Sequence, residues 1–322
     1  MTRKPALGVA LVVASGTLFA INGTVSKLVL RAGIEPAQLA FLRAAGAFLG
    51  LLAITLLLGH GRRLAVTRHD LPLLVGYGLA GFFLVPMLYF VAISRLPVGI
   101  GLLFEFTAPL FVALWVRFGQ RQPVRPRLWG GFALSLAGLA CVAEVWGDLR
   151  LDGLGVLAGL GAAVLLALYY LLGARGVARR DTLSLTTWAF GSAAVAGLLT
   201  QAVAPANGGW APLAEATSGG VPVALLLGYV VVLGSIVPYM LIAAALRHLP
   251  ATSVGIIGMV EPVFASAVAW ITLGGSEALS AAQLAGGALV LAGVALAETA
   301  RVTPRAPETA AAGEKAVAVP AG

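Results

Sequence analysis

Ten apolar runs of about 20 residues, each bounded by a short polar break, fill the chain from residue 6 to residue 299. A helix of about 20 residues crosses the hydrocarbon core of a bilayer. With no water at that depth, each crossing segment must satisfy its own backbone groups, which selects helix or closed barrel. The runs lie at 6–30, 36–58, 72–94, 97–118, 128–146, 153–173, 184–204, 222–246, 251–273 and 280–299. They end in breakers such as Gly59-His60-Gly61-Arg62-Arg63 and Gly119-Gln120-Arg121-Gln122-Pro123. Only 11% of the residues are charged and mean hydropathy is +0.97, whereas a soluble domain carries about 25% charged residues. The fold class is therefore all-α, a polytopic membrane protein of ten helices embedded in the lipid bilayer. The 41 glycines follow no collagen period and suit close helix packing in lipid.

Lysine and arginine placement gives an orientation. With the N-terminus inside, sixteen of these residues fall on the inner side and three, Arg31, Arg95 and Arg150, on the outer side, leaving Lys27 and Arg43 within helices. This positive-inside bias alternates through the whole chain. It predicts both termini in the cytoplasm and a multi-pass protein of the cell membrane. The first run exceeds a typical leader h-region and no A-x-A site closes it, so it reads as a span. The segment 300–322, rich in Ala and Pro with scattered charge, reads as a disordered cytoplasmic tail.

The chain also repeats itself. Pro97 and Pro109 are spaced like Pro250 and Pro262, and Ala92-Ile93-Ser94-Arg95-Leu96-Pro97 aligns with Ala245-Leu246-Arg247-His248-Leu249-Pro250. Downstream, Leu128-Trp129-Gly130-Gly131 through Gly138 aligns with Gln283-Leu284-Ala285-Gly286 through Gly293. The units are 6–146 and 153–299, five spans each. Because five is odd, the second unit must enter the membrane inverted, the architecture that lets a central solute site alternate between two faces.

Ser26-Lys27, Phe41-Leu42-Arg43, the R-L-P lead into the fourth span, Glu105-Phe106-Thr107-Ala108-Pro109 and Glu261-Pro262-Val263-Phe264 together resemble the EamA-type members of the drug/metabolite transporter superfamily. The E-F-T-A-P stretch is similar to the threonine/homoserine-exporter branch. The resemblance covers residues 6 to 299. It implies a ten-helix carrier of the cytoplasmic membrane that exports amino acids or related metabolites. It also implies a cavity lined by spans one, three, four, six, eight and nine, with five and ten as supports. Many second repeats carry L-G-E after the ninth span; here the stretch reads Leu273-Gly274-Gly275-Ser276-Glu277, with the glutamate displaced.

Ionisable side chains at membrane depth are candidates for function. At 1.5 Å per residue, Glu105 and Glu261 lie about 12 and 15 Å from the starts of their helices, near mid-membrane. Pro109 has no N–H for the carbonyl of Glu105, and Pro262 has none for Gly258, its counterpart in the repeat. Each half thus offers a freed carbonyl with a carboxylate at it or one turn away, suited to an ammonium, a proton or a cation, and both prolines are candidate kinks. Lys27 and Arg43 could pair with Glu105, meet a substrate carboxylate, or snorkel. Ser15, Asn22 and Ser26 share a helical face, as do Gly228, Ser235 and Tyr239. Tyr89, Tyr169, Tyr170, Trp188 and Trp270 could line the cavity or anchor at the interface.

Other classes lose support. His60, His69 and His248 lie in loops, Cys141 is the single cysteine, and no H-E-x-x-H, G-x-S-x-G, Walker A or dinucleotide pattern occurs. No metal, cofactor or nucleic-acid partner is expected, and the chain reads as no enzyme. A secondary transporter of a small-molecule substrate follows, with proton coupling and a homodimer left open. The alternative is an integral-membrane enzyme acting on lipid-linked substrates.

Overall fold

A computed structural model describes residues 4–96, 98–121, 123, 125–142, 146, 152–205, 209, 210, 213, 220–261, 263–265 and 280–299. The tail, Pro262, Trp270 and the Leu273–Glu277 stretch lie outside the described residues. The helices are α1 (Pro5–Arg31), α2 (Pro36–Leu57), α3 (Leu71–Arg95), α4 in two pieces (Val98–Glu105 and Ala108–Gly119) and α5 (Pro126–Val142). The second half holds α6 (Gly153–Arg179), α7 (Thr182–Val203), α8 (Val223–Ala245), α9 (Ala251–Gly258, with helix again at Glu261 and 263–265) and α10 (Ala281–Thr299). Each of the ten expected spans is thus helical over most of its described residues. The sixth runs two turns longer than its apolar run suggested, so Arg175 and Arg179 sit on its last turns rather than in a loop.

Local chemistry sets the ends. Asp152 and Asp181 cap α6 and α7, their carboxylates accepting from the backbone N–H of Gly155 (2.8 Å) and Ser184 (3.0 Å). Proline opens α1 and α2, where its missing N–H costs nothing. The tight α1–α2 turn runs through Gly33 at φ 99°, a conformation that needs glycine.

The helices pack with two-fold exchange symmetry. α2 lies on α7, α4 on α9 and α5 on α10, while α1 packs on α8 as α6 packs on α3. Likewise α3 meets α7 as α8 meets α2, and α4 meets α6 as α9 meets α1. Swapping each helix with the one five places later maps these pairs onto one another. At the α5–α10 crossing, a Cβ on Gly131 would come 2.5 Å from the carbonyl oxygen of Gly293, and one on Gly138 2.6 Å from that of Gly286. The earlier residue of one helix meets the later residue of the other, so α5 and α10 run antiparallel and the two halves are inverted copies.

The loops gather on two faces. On one, the Lys4 backbone N–H donates to His248 Nδ1 (3.4 Å), Arg180 pairs with Asp70 (2.8 Å) and donates to the Ala65 carbonyl (2.7 Å), and Arg247 donates to the Arg180 carbonyl (2.9 Å). On the other, Arg95 pairs with Asp152 (3.4 Å) and Gln38 donates to the Gly209 carbonyl (2.8 Å). This is the alternation that the ten-span count requires. A hydrogen bond from the Thr67 hydroxyl, followed by the Arg180 guanidinium, holds the Asp70 carboxyl below the usual carboxylate range. The Gly155 N–H, and then Arg95, do the same for Asp152.

Candidate functional site

Four irregularities at membrane depth shape the centre. In α3 the stretch Gly78–Leu84 is π-helical, directly before Pro86; in α8 Val232–Ile236 is π-helical, directly before Pro238. A π segment and a proline each leave backbone carbonyls without their usual donors. Side chains from elsewhere take them up. The Tyr239 hydroxyl donates to the Gly81 carbonyl (3.1 Å), and Arg43 Nη2 donates to the Phe82 carbonyl (3.1 Å) and to the Tyr239 oxygen (3.3 Å). On the other half, Ser15 donates to the carbonyl of Pro238 itself, just past the π segment (3.1 Å). The third irregularity is the break in α4 at Phe106-Thr107, where Thr107 and Leu110 bond three residues back rather than four. Met259-Val260 interrupts α9 at the equivalent place with the same short bonds.

Between the halves lies a cavity with about 790 Å³ of space free of protein atoms, counted with its opening. Residues of α1, α2, α3, α4, α6, α8 and α9 line it, and among the described residues none comes from α5 or α10. Glu105, Glu261, Asn22, Arg43, Tyr89 and Tyr239 all reach it, as do Tyr169 and Tyr170. Among the described residues, neither glutamate makes an ion pair or a side-chain hydrogen bond. Glycines keep space beside them. A Cβ on Gly16 would lie 3.7 Å from the Glu261 Cβ, and one on Gly258 3.6 Å from the Tyr170 hydroxyl and 3.8 Å from the Phe106 ring. The Asn22 Oδ1 packs onto Gly234, and no hydrogen bond reaches that oxygen among the described residues.

Other expected residues lie elsewhere. Lys27 is half-buried, does not line the cavity and has no ion pair among the described residues. Ser235 is buried and donates to the Val230 carbonyl five residues back (2.7 Å), inside the π segment. The face expected for Gly228, Ser235 and Tyr239 does not survive. Gly228 is exposed and Tyr239 faces the cavity, because the π segment between them turns the register. Trp188 leaves the cavity to the tyrosines and donates to the Leu64 carbonyl (2.9 Å) in the α2–α3 loop. Pro109 is buried and packs against Gly255 of α9. Arg43 is both tied and lining: 2% exposed, its guanidinium sits 5.2 Å over the Tyr239 ring. The sequence reading passed over Ser15 as a tie, and Gly16 and Gly258 as space-keepers. The recurring Gly81…Val85-Pro86 and Gly234…Val237-Pro238 was the available signal for the π segments.

The ends of the cavity's walls repeat across the two-fold. Leu96 and Arg95, at the α3–α4 turn, press on Gly155 of α6. Leu249 and His248, at the α8–α9 turn, press on Gly8 of α1 at the opposite face.

The sequence pattern of the EamA-like transporter family matches residues 6–143 and again 153–299. The chain belongs to the EamA-like transporter family. It is a multi-pass membrane transporter. Two matches, one per half, agree with the packing symmetry. An uncharacterized transporter of Archaeoglobus fulgidus is 29% identical over 292 residues, 90% of this chain and 96% of the relative. The threonine/homoserine exporter RhtA of Escherichia coli K12 is 32% identical over 237 residues, 73% of each chain. A solved crystal structure at 18% identity superposes with a TM-score of 0.73 over 92% of this chain and 99% of the other, a likeness of fold alone.

Proposed function

We propose that this transporter exports amino acids or related small metabolites across the cytoplasmic membrane by alternating access, with both termini in the cytoplasm. The observation that carries the reading is the cavity between two inverted halves, into which each half sends one carboxylate, Glu105 and Glu261. Uncompensated carboxylates at such depth are costly, and a proton or a substrate ammonium relieves that cost. A site that takes either one exchanges them, which couples solute to proton. The exporter RhtA among the relatives and the E-F-T-A-P stretch favour amino-acid cargo.

The moving parts in this reading are the hairpins α3–α4 and α8–α9. Each carries a π segment before a proline on one arm, a break on the other, and a leucine at its tip. Opening Leu96 from Gly155 exposes the site to the outside, and opening Leu249 from Gly8 exposes it to the cytoplasm. The test is counterflow of labelled amino acids in proteoliposomes, L-threonine first, at two pH values. Saturable accumulation that shifts with an imposed pH gradient supports the reading. No accumulation of any amino acid would remove the cargo assignment.

A further inference from the structure

We propose that the cavity is built for an organic cation, an alkyl- or arylammonium including quaternary ammonium, and recognises it through aromatic faces together with Glu105 and Glu261. The inference rests on the reading that this cavity is the transport site, and it narrows the substrate to what carries positive charge. Seven of the 21 lining residues are aromatic, a third of the wall, in a chain that is 8% aromatic. They come from both halves, Phe19, Tyr89, Phe90 and Phe106 facing Tyr170 and Tyr239. Aromatic faces attract cations within about 6 Å of the ring centre, more strongly where water is excluded.

The structure already contains one such contact, the Arg43 guanidinium over Tyr239. The charges on the wall point the same way, with two carboxylates against this single cation. Arg43 balances one glutamate, which leaves the site one negative charge in excess when both are ionised. An inorganic cation would need a shell of oxygen ligands, whereas most of this wall is carbon. A bulky ammonium instead meets Glu261, which lies beside Gly16, and the Tyr170 and Phe106 side chains, which lie beside Gly258. The Arg43 Nη2 is already committed to Phe82 and Tyr239, while its Nε has no hydrogen-bond partner among the described residues.

The probes are choline and phenyltrimethylammonium, with 3,3-dimethylbutan-1-ol as the uncharged carbon counterpart of choline. Binding is measured by calorimetry on the purified protein in detergent, with the thermal midpoint of each variant as the folding control. Both cations should bind saturably, and the alcohol at least about tenfold more weakly. Glu261→Gln should weaken both cations about tenfold or more and leave the alcohol unchanged. Tyr170→Leu, which keeps apolar bulk and removes the hydroxyl and the π face, should weaken them several-fold. Absence of cation binding, equal binding of choline and the alcohol, or indifference to both variants would overturn the proposal. L-Threonine counterflow on the same preparation separates the two readings. Transport without cation binding removes this inference alone, and cation binding without amino-acid transport removes the amino-acid cargo alone.

Discussion

Adjacent glycines at the α5–α10 crossing give a test of the packing with a built-in control. Gly130 and Gly131 both lie inside α5, so replacing either with alanine gains the same helix propensity, roughly 1 kcal/mol. Their surroundings differ. A Cβ on Gly130 meets only the Leu296 side chain at 3.7 Å, an ordinary contact. A Cβ on Gly131 comes 2.5 Å from the Gly293 carbonyl oxygen, 2.6 Å from the Ala297 nitrogen and 2.8 Å from the Ala297 Cβ. The first two are backbone atoms, so no side chain can swing aside. Reaching an ordinary 3.4 Å requires the helices to part by about 0.9 Å, from 2.5 to 3.4 Å, and gaps of 0.5–1 Å forfeit roughly a quarter to a half of each dispersion contact. Overpacking of this kind costs roughly 1–3 kcal/mol. Gly131→Ala should therefore fall below Gly130→Ala by about 1–3 kcal/mol in unfolding by SDS titration in mixed micelles. Gly138→Ala should behave like Gly131→Ala, since it faces Gly286 across the same axis. Equal stability of the adjacent pair would refute the close antiparallel crossing.

The two ion pairs should differ in weight. Arg180→Ala removes the largely buried tie between the α6–α7 turn and the α2–α3 loop, with Asp70, Ala65 and Ser184 each losing that contact; it should lower the thermal midpoint clearly. Arg95→Ala, at an exposed pair, should change it little. Acid should weaken the fold through the same groups. The Asp70 and Asp152 carboxyls titrate below the usual range when folded, so their contribution is full above about pH 4 and is lost as the pH falls through the depressed values. The thermal midpoint of Asp70→Asn should accordingly change less than wild type on acidification below about pH 4. Tyr239→Phe leaves the Gly81 carbonyl without its donor. It should cost about 0.6 kcal/mol and at most about 1.7 kcal/mol in mixed micelles, the mean and the maximum for such bonds in a membrane protein.

Much of this architecture was legible in the chain because the bilayer enforces it. Run length, loop charge and the repeated proline spacing follow from hydrocarbon thickness and backbone pairing, and they gave the ten helices and the inversion. Glu105 and Glu261 were legible for the same reason, as carboxylates in apolar runs. The site's finer construction was not. Seven-residue steps assume a regular helix, and the π segment in α8 breaks that assumption between Gly228 and Tyr239. Arg43 read as a residue at membrane depth with several uses. Its actual tie depends on carbonyls opened in α3, and no pattern within α2 encodes them. Lys27 read as a candidate because charge at depth is rare, yet it does not line the cavity.

The most direct test of the account removes one carboxylate at a time from the cavity. Wild type, Glu105→Gln, Glu261→Gln and Gly130→Ala are reconstituted at equal density, and counterflow of labelled L-threonine is measured after each is shown to retain its thermal midpoint. The account predicts loss of counterflow in Glu261→Gln, strong reduction in Glu105→Gln and wild-type rates in Gly130→Ala. Wild-type rates in both glutamine variants would contradict it.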